Sequence, residues 1–196
     1  MEKILDQSKK VMKIIKYKIK GLFKILPDIY KDKRGYFFES YHEKKYKKIF
    51  FNKFVQDDHS FSKKNVLRGI HFQYKNPQSQ LLYLVTGRIF LVLVDFRPKS
   101  KTFLKHQIFN LNSKNHEQIF SPPGVGCAFY SMTDYTHLIY KISELYKKNC
   151  EIGVIWNDPL LKIKWPCTKP ILSDKDKGYL SIDKINFQKL KHLNDL

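Results

Sequence analysis

The chain is 196 residues long and carries 37 Lys and Arg against 18 Asp and Glu, a formal charge of +19, with 42% hydrophobic and 15% aromatic residues. That length and apolar content are enough to bury a sizeable core, which excludes global disorder. Only Arg34, Arg68, Arg88 and Arg97 are arginines, so the excess charge is lysine; this points to a solvated surface and away from a nucleic-acid partner, which draws on arginine forks for phosphates and base edges.

From the N-terminus, residues 1–11 read as an extension to a single domain over 12–196. Lysine recurs too often before Pro27 for a signal peptide, and no apolar run of membrane-spanning length occurs, so no membrane partner is expected. Residues 13–25 alternate like a strand interrupted at Gly21. The turn Asp32-Lys33-Arg34-Gly35 leads into a short aromatic strand over 36–41, and 42–51 is a helical candidate whose lysines form a solvated face. A strand over 55–60 and a polar turn at Lys63-Lys64-Asn65 follow. Strands are then predicted over 69–73, 80–86, 88–97, 105–111, 116–120 and 137–142, with Pro122-Pro123-Gly124 forcing a loop and 182–193 forming a terminal helix. Short strands with Gly and Pro turns and little helix between them predict an all-β antiparallel sandwich or barrel.

The three cysteines, Cys127, Cys150 and Cys167, are far apart and form no CxxC, which argues against a disulfide framework or structural zinc and for the reducing cytoplasm. The seven histidines include no H-x-H and no H-E-x-x-H, so no metal-ligand set is expected. A Gly-rich phosphate loop is also missing. Cofactor-free chemistry or simple binding remains. In Arg68-Gly69-Ile70-His71-Phe72-Gln73, alternation sets His71 and Gln73 on the face opposite Ile70 and Phe72. An imidazole inside a barrel can take a proton at neutral pH; the plainer role is a structural histidine bonded to a carbonyl. Arg68 supplies a planar fork where the chain otherwise uses lysine. Tyr140 is either a packing residue or a general acid, Tyr146 can stack on a flat ring, and Asp176 is a turn residue unless the fold brings it to a histidine nitrogen.

Nine short segments, in order, resemble the dTDP-4-dehydrorhamnose 3,5-epimerase family: Asp32-Lys33-Arg34-Gly35-Tyr36-Phe37-Phe38-Glu39, Val55-Gln56-Asp57-Asp58-His59-Ser60, Val66-Leu67-Arg68-Gly69-Ile70-His71-Phe72-Gln73, Val94-Asp95-Phe96-Arg97, Pro122-Pro123-Gly124, Tyr140-Lys141, Trp156-Asn157-Asp158-Pro159, Trp165-Pro166 and Leu172-Ser173-Asp174-Lys175-Asp176. The resemblance implies a cupin-like jelly roll with a few short peripheral helices, no cofactor and no metal, and a nucleotide-sugar substrate whose C4 ketone acidifies C3 and C5. It implies His71 as the base, Asp176 as its orienting carboxylate and Tyr140 as the acid on the opposite face. Arg34, Glu39, Gln56, Asp58, Ser60, Arg68, Gln80, Cys127, Glu151 and Lys175 fall at substrate-contacting positions, with Tyr146 flanking the base. Homodimers that exchange strands and share pocket residues are implied too.

The chain departs from the family pattern where Gln80 replaces a lysine, Cys127 a histidine, Leu91 an aspartate and Asp58 an asparagine. A neutral amide is a weaker helper for an enolate than an ammonium. Three outcomes stay open: the same reaction with rearranged donors, a relative that inverts one carbon or acts on another 4-keto sugar such as a heptose, and an inactive homologue. The rivals from other classes are a sugar-nucleotide-binding jelly-roll module and a metal-dependent cupin.

Overall fold

The computed structural model describes residues 12–50 and 53–195, so the extension expected over 1–11 lies outside the described residues. Residues 13–25 do not form one strand: β1 (Lys13–Lys16) and β2 (Phe23–Leu26) fold back on each other with Lys13 opposite Leu26. Gly21, at φ +82, sits in the intervening turn. The aromatic segment contributes only β4 (Gly35–Phe37), paired with β3 (Tyr30–Asp32) in a separate hairpin; Gly35, at φ +133, closes its turn in a conformation that L side chains avoid. The helix expected over 42–51 shortens to α1 (Glu43–Tyr46).

The remaining strands are β5 (Gln56–Ser62), β6 (Leu67–Gln73), β7 (Gln80–Thr86), β8 (Arg88–Asp95), β9 (His106–Asn112), β10 (Gln118–Ser121), β11 (Val125–Ser131), β12 (Thr136–Ile142) and β13 (Glu151–Gly153). Among the described residues they form a six-stranded sheet, in the order β1-β2-β10-β7-β12-β5, and a five-stranded sheet, β13-β6-β11-β8-β9. The pairings within both sheets are antiparallel, and the architecture is a cupin-like jelly roll.

Three apolar clusters hold the layers together. Leu82, Leu84, Leu91, Leu93, Phe129 and Leu138 fill the space between the sheets. The outer face of the five-stranded sheet (Ile70, Phe72, Val92, Phe96) is roofed by the C-terminal segment through Val154, Leu161, Ile182, Leu190 and Leu193. Tyr46 and Phe50 pack on Ile25, Leu81 and Phe120 of the six-stranded sheet. Each fully buried side chain of this size contributes roughly 1.5–3 kcal/mol. The roof contains α2 (Asp174–Lys177) and, in place of the single helix expected over 182–193, two 3-10 segments, Ile182–Lys184 and Phe187–Asp195.

Strand β11 was not foreseen. With both sheet faces covered, it is buried along its whole length and its sequence VGCAFYS shows no polar alternation. Its pairing with β6 positions the cavity: Cys127 faces His71, but Phe129 faces Arg68, so β6 carries one extra residue, a β-bulge. Gly69 sits in that bulge at φ +104, where a Cβ would lie 2.4 Å from the Cys127 carbonyl oxygen.

Candidate active site

A cavity of about 300 Å³ is lined by residues of both sheets. The five-stranded sheet contributes Arg68 and His71 from β6 and Cys127 and Phe129 from β11. The six-stranded sheet contributes Asp58 and Ser60 from β5, Gln80 from β7 and Tyr140 from β12. Tyr146, Glu151, Lys175 and Asp176 complete the wall around His71. Strict alternation would put Arg68 and His71, three residues apart, on opposite faces; the bulge at Gly69 lets both line the cavity.

The imidazole lies between two carboxylates. His71 Nδ1 is 3.0 Å from Glu151 Oε1, and Nε2 is 4.0 Å from Asp176 Oδ1. Asp176 is fixed through its own helix start: the Ser173 hydroxyl donates to Asp176 Oδ2 at 2.7 Å and accepts from the Asp176 amide at 3.1 Å. The Gly69 amide donates to Asp176 Oδ1 at 3.4 Å. The Tyr146 hydroxyl donates to Glu151 Oε2 at 2.8 Å, and Lys175 Nζ donates to the same oxygen. Burial works to raise the Glu151 carboxyl, but His71, Lys175 and Tyr146 outweigh it and hold it down at about 2. The same pairing outweighs burial at Lys175 and raises its ammonium above the ordinary lysine range.

Across the cavity, Tyr140 is a protonated donor. Burial pushes its phenol well above the usual range, the neighbouring Cys127 adds to this, and the contact with Ser60 Oγ, 3.5 Å away, and the charge of Arg68 oppose it. Burial pushes the Cys127 thiol up to about 12, so it is neutral. Gln80 Oε1 is buried without a protein hydrogen-bond partner. Leu91, where the resemblance expects an aspartate, is fully buried in the inter-sheet core.

The structure thus gathers His71, Tyr140, Asp176, Asp58, Ser60, Arg68, Gln80, Cys127, Tyr146, Glu151 and Lys175 around one cavity. Gln56 stands behind it, donating to Asp58 Oδ1 at 2.8 Å and accepting from the Tyr146 amide at 3.1 Å. Arg34 and Glu39 lie elsewhere: Arg34 is chelated to Asp32 on the exposed β3–β4 hairpin, and Glu39 pairs with Lys45. Gln73, on the His71 face as expected, spends its amide on the Asn76 and Leu145 carbonyls and the Lys147 amide. Tyr179, which sequence reasoning did not single out, packs its ring 6.1 Å from the imidazole in space that Gly153 leaves open. Among the described residues, no group of three or more His, Cys, Asp or Glu is placed to hold a metal ion.

The sequence profile of the dTDP-4-dehydrorhamnose 3,5-epimerase family matches residues 16–184. The Salmonella typhimurium dTDP-4-dehydrorhamnose 3,5-epimerase is 38% identical over 177 residues, covering 88% of this chain and 97% of that protein. A crystal structure of a dTDP-6-deoxy-D-glucose-3,5-epimerase from Legionella pneumophila, in complex with dTDP-4-keto-L-rhamnose, superposes with a TM-score of 0.88 at 35% identity, covering 92% of this chain and 97% of that one. A dTDP-4-dehydrorhamnose 3-epimerase from Streptomyces niveus is 32% identical, covering 83% of this chain and 80% of that protein. The two-sheet cavity and these matches agree: the chain belongs to the dTDP-4-dehydrorhamnose 3,5-epimerase family, isomerases that act on sugar nucleotides.

Proposed function

We propose that this chain inverts C3 and C5 of a nucleotide-linked 4-keto-6-deoxy sugar without a cofactor, converting dTDP-4-dehydro-6-deoxyglucose to dTDP-4-dehydrorhamnose. The observation that carries the reading is that an imidazole and a protonated phenol reach one cavity from opposite sheets. The His71 imidazole takes a proton from a carbon α to the C4 ketone, and the electron pair moves into an enolate whose charge rests on O4. The Tyr140 hydroxyl then gives its proton to the opposite face of that carbon, inverting it. Solvent restores the phenol and removes the proton from the imidazolium. Acid–base catalysis of this kind supplies about 10²–10⁴-fold, and donors aimed at the enolate oxygen supply more.

Arg34 and Glu39 support a homodimer with exchanged strands, in which each hairpin reaches the neighbour's cavity. The hairpin exposes Tyr30, Tyr36 and Phe37, the last at 68%, which a second copy would cover. The lysine-rich surface adds a positive field that draws in the diphosphate. We take residues 12–196 as one catalytic domain, acting in the cytoplasm; its three cysteines are free, and among the described residues no helix is long and apolar enough to cross a membrane.

A second reading, inversion at C3 alone, is favoured by the neutral Gln80 and Cys127, which leave a weaker site for enolate charge. Incubation with the 4-keto substrate in D₂O separates the readings: label at C3 and C5 supports the first, label at C3 only selects the second, and no label sinks both. His71→Asn should abolish incorporation.

A further inference from the structure

We propose that a second concavity, formed by the β1–β2 turn and the loop after β8, binds a bare oligophosphate, a short chain of phosphoryl groups without a base or sugar. It shares no lining residue with the catalytic cavity and is independent of the reaction assigned there.

The concavity has a volume of about 290 Å³, and its described wall holds five cations, Lys18, Lys20, Arg97, Lys99 and Lys101, and no carboxylate. Two rigid turns present the lysines in pairs. In the β1–β2 turn the Tyr17 amide donates to the Leu22 carbonyl at 3.2 Å, and the Leu22 amide donates to the Ile19 carbonyl at 3.1 Å. Ile19 is buried in the core between the sheets, and Lys18 and Lys20 on either side of it are exposed. The loop after β8 is organised around Asp95, which is fully buried. Its carboxylate accepts from the Ser100 hydroxyl at 2.6 Å, the Thr102 hydroxyl at 2.7 Å and the Arg97 guanidinium at 2.8 and 2.9 Å. These bonds turn the acid inward and pin Ser100, so Lys99 and Lys101 stand exposed on either side of it. Arg97, 4% exposed, and Leu193 from the roof complete the wall.

The ligand class follows from this wall. An ammonium holds phosphate as a point charge without the bidentate geometry of a guanidinium, which suits a chain of repeated phosphoryl groups. Like charges on two facing lips repel, and a multiply charged anion lying between them replaces that repulsion by attraction. Because the two turns are already fixed by their own hydrogen bonds, little backbone ordering opposes binding. The described wall offers no aromatic ring, and Leu193 is its one apolar side chain. A nucleobase would find no stacking partner there, so the ligand is the phosphate chain itself.

Calorimetric titration of the full chain with inorganic tripolyphosphate, at about 0.15 M salt to screen the general surface field, tests this. One equivalent per chain should bind. Lys18→Glu with Lys101→Glu, one from each lip, should weaken binding by well over 10-fold. Lys44→Glu with Lys48→Glu, at exposed positions on and just after α1, makes the same change in net charge and should weaken it by less than about 3-fold. Lys18→Ala with Lys101→Ala removes charge without reversing it, so it keeps the test valid if the first pair fails to fold; it should weaken binding by about 10-fold with Tm unchanged. No binding at this salt overturns the proposal. Equal losses in the two charge-reversed pairs also overturn it, because they show a diffuse field and no site. Full binding in the folded Lys18/Lys101 variants places the phosphate elsewhere, the catalytic cavity included, and overturns it as well. A single-stranded oligonucleotide that binds more tightly than tripolyphosphate, and is lost with the same variants, overturns the assignment to a bare phosphate chain.

Discussion

At the scale of single residues, the site divides into groups whose charge the fold fixes and groups it keeps neutral. Glu151 stays ionised because three donors outweigh its burial, whereas Tyr140 and Cys127, buried against one another, keep their protons. Replacing Tyr140 by Phe removes the donor and leaves the base untouched. Wash-in of deuterium at the His71 face should then persist while net inversion falls about 10²–10⁴-fold, measured by following labelled substrate and product together; equal loss of both would assign Tyr140 to binding. Residue types alone carried part of this. Arg68 stands in the cavity as a planar fork in a lysine-rich chain suggests, but Arg97 has the same fork and uses it inside the fold, bonding buried Asp95 at 2.8 and 2.9 Å. The contact of Glu151 with His71 was not legible, because it joins residues far apart in sequence through the register of a three-residue strand.

At the scale of elements, β8 was legible from its long β-branched apolar run, and other strands from their alternation. Strands β7, β9 and β12 were legible because one face is more polar than the other, whereas β11 is covered on both faces and β13 is too short to show a period. The bulge in β6 was the more consequential omission, since a regular strand would turn Arg68 away from His71. Gly69 is what permits that bulge. Gly69→Ala would force a Cβ to 2.4 Å from the Cys127 carbonyl oxygen and 2.8 Å from Ala128 Cα, at a φ that alanine avoids. We expect a loss of about 3 kcal/mol from combined strain and overpacking, seen as a fall in Tm of roughly 6–12 °C. Activity should fall even where the variant is fully folded, because the imidazole is two residues away. A variant with wild-type Tm would show that β6 tolerates a side chain there.

At the scale of the whole molecule, the nine-segment resemblance gave the fold class and family, yet two of its site positions stand apart from this chain's cavity. Arg34 and Glu39 lie outside the cavity that their motif positions assign to them. If each cavity borrows a hairpin from its neighbour, two inactive variants repair one another. Arg34→Ala and His71→Asn, each inactive alone, should recover about a quarter of wild-type activity when unfolded and refolded together, since half the dimers are mixed and each has one intact site. No recovery would place Arg34 in its own chain's site or outside the site altogether. The hairpin residues were legible as a motif and yet lie outside this chain's pocket; under the proposed exchange their surroundings belong to another copy.

The roof over the five-stranded sheet also couples packing to chemistry. Ile182, Leu190 and Leu193 seal the back of the strand that carries His71, and the same stretch of chain brings Lys175 and Asp176 to the imidazole. A chain cut before residue 174 would keep the imidazole but lose both of these partners, and of the buried side chains that roof its sheet only Val154 and Leu161 would remain. The last segment therefore serves packing and chemistry at once, and its loss would cost both.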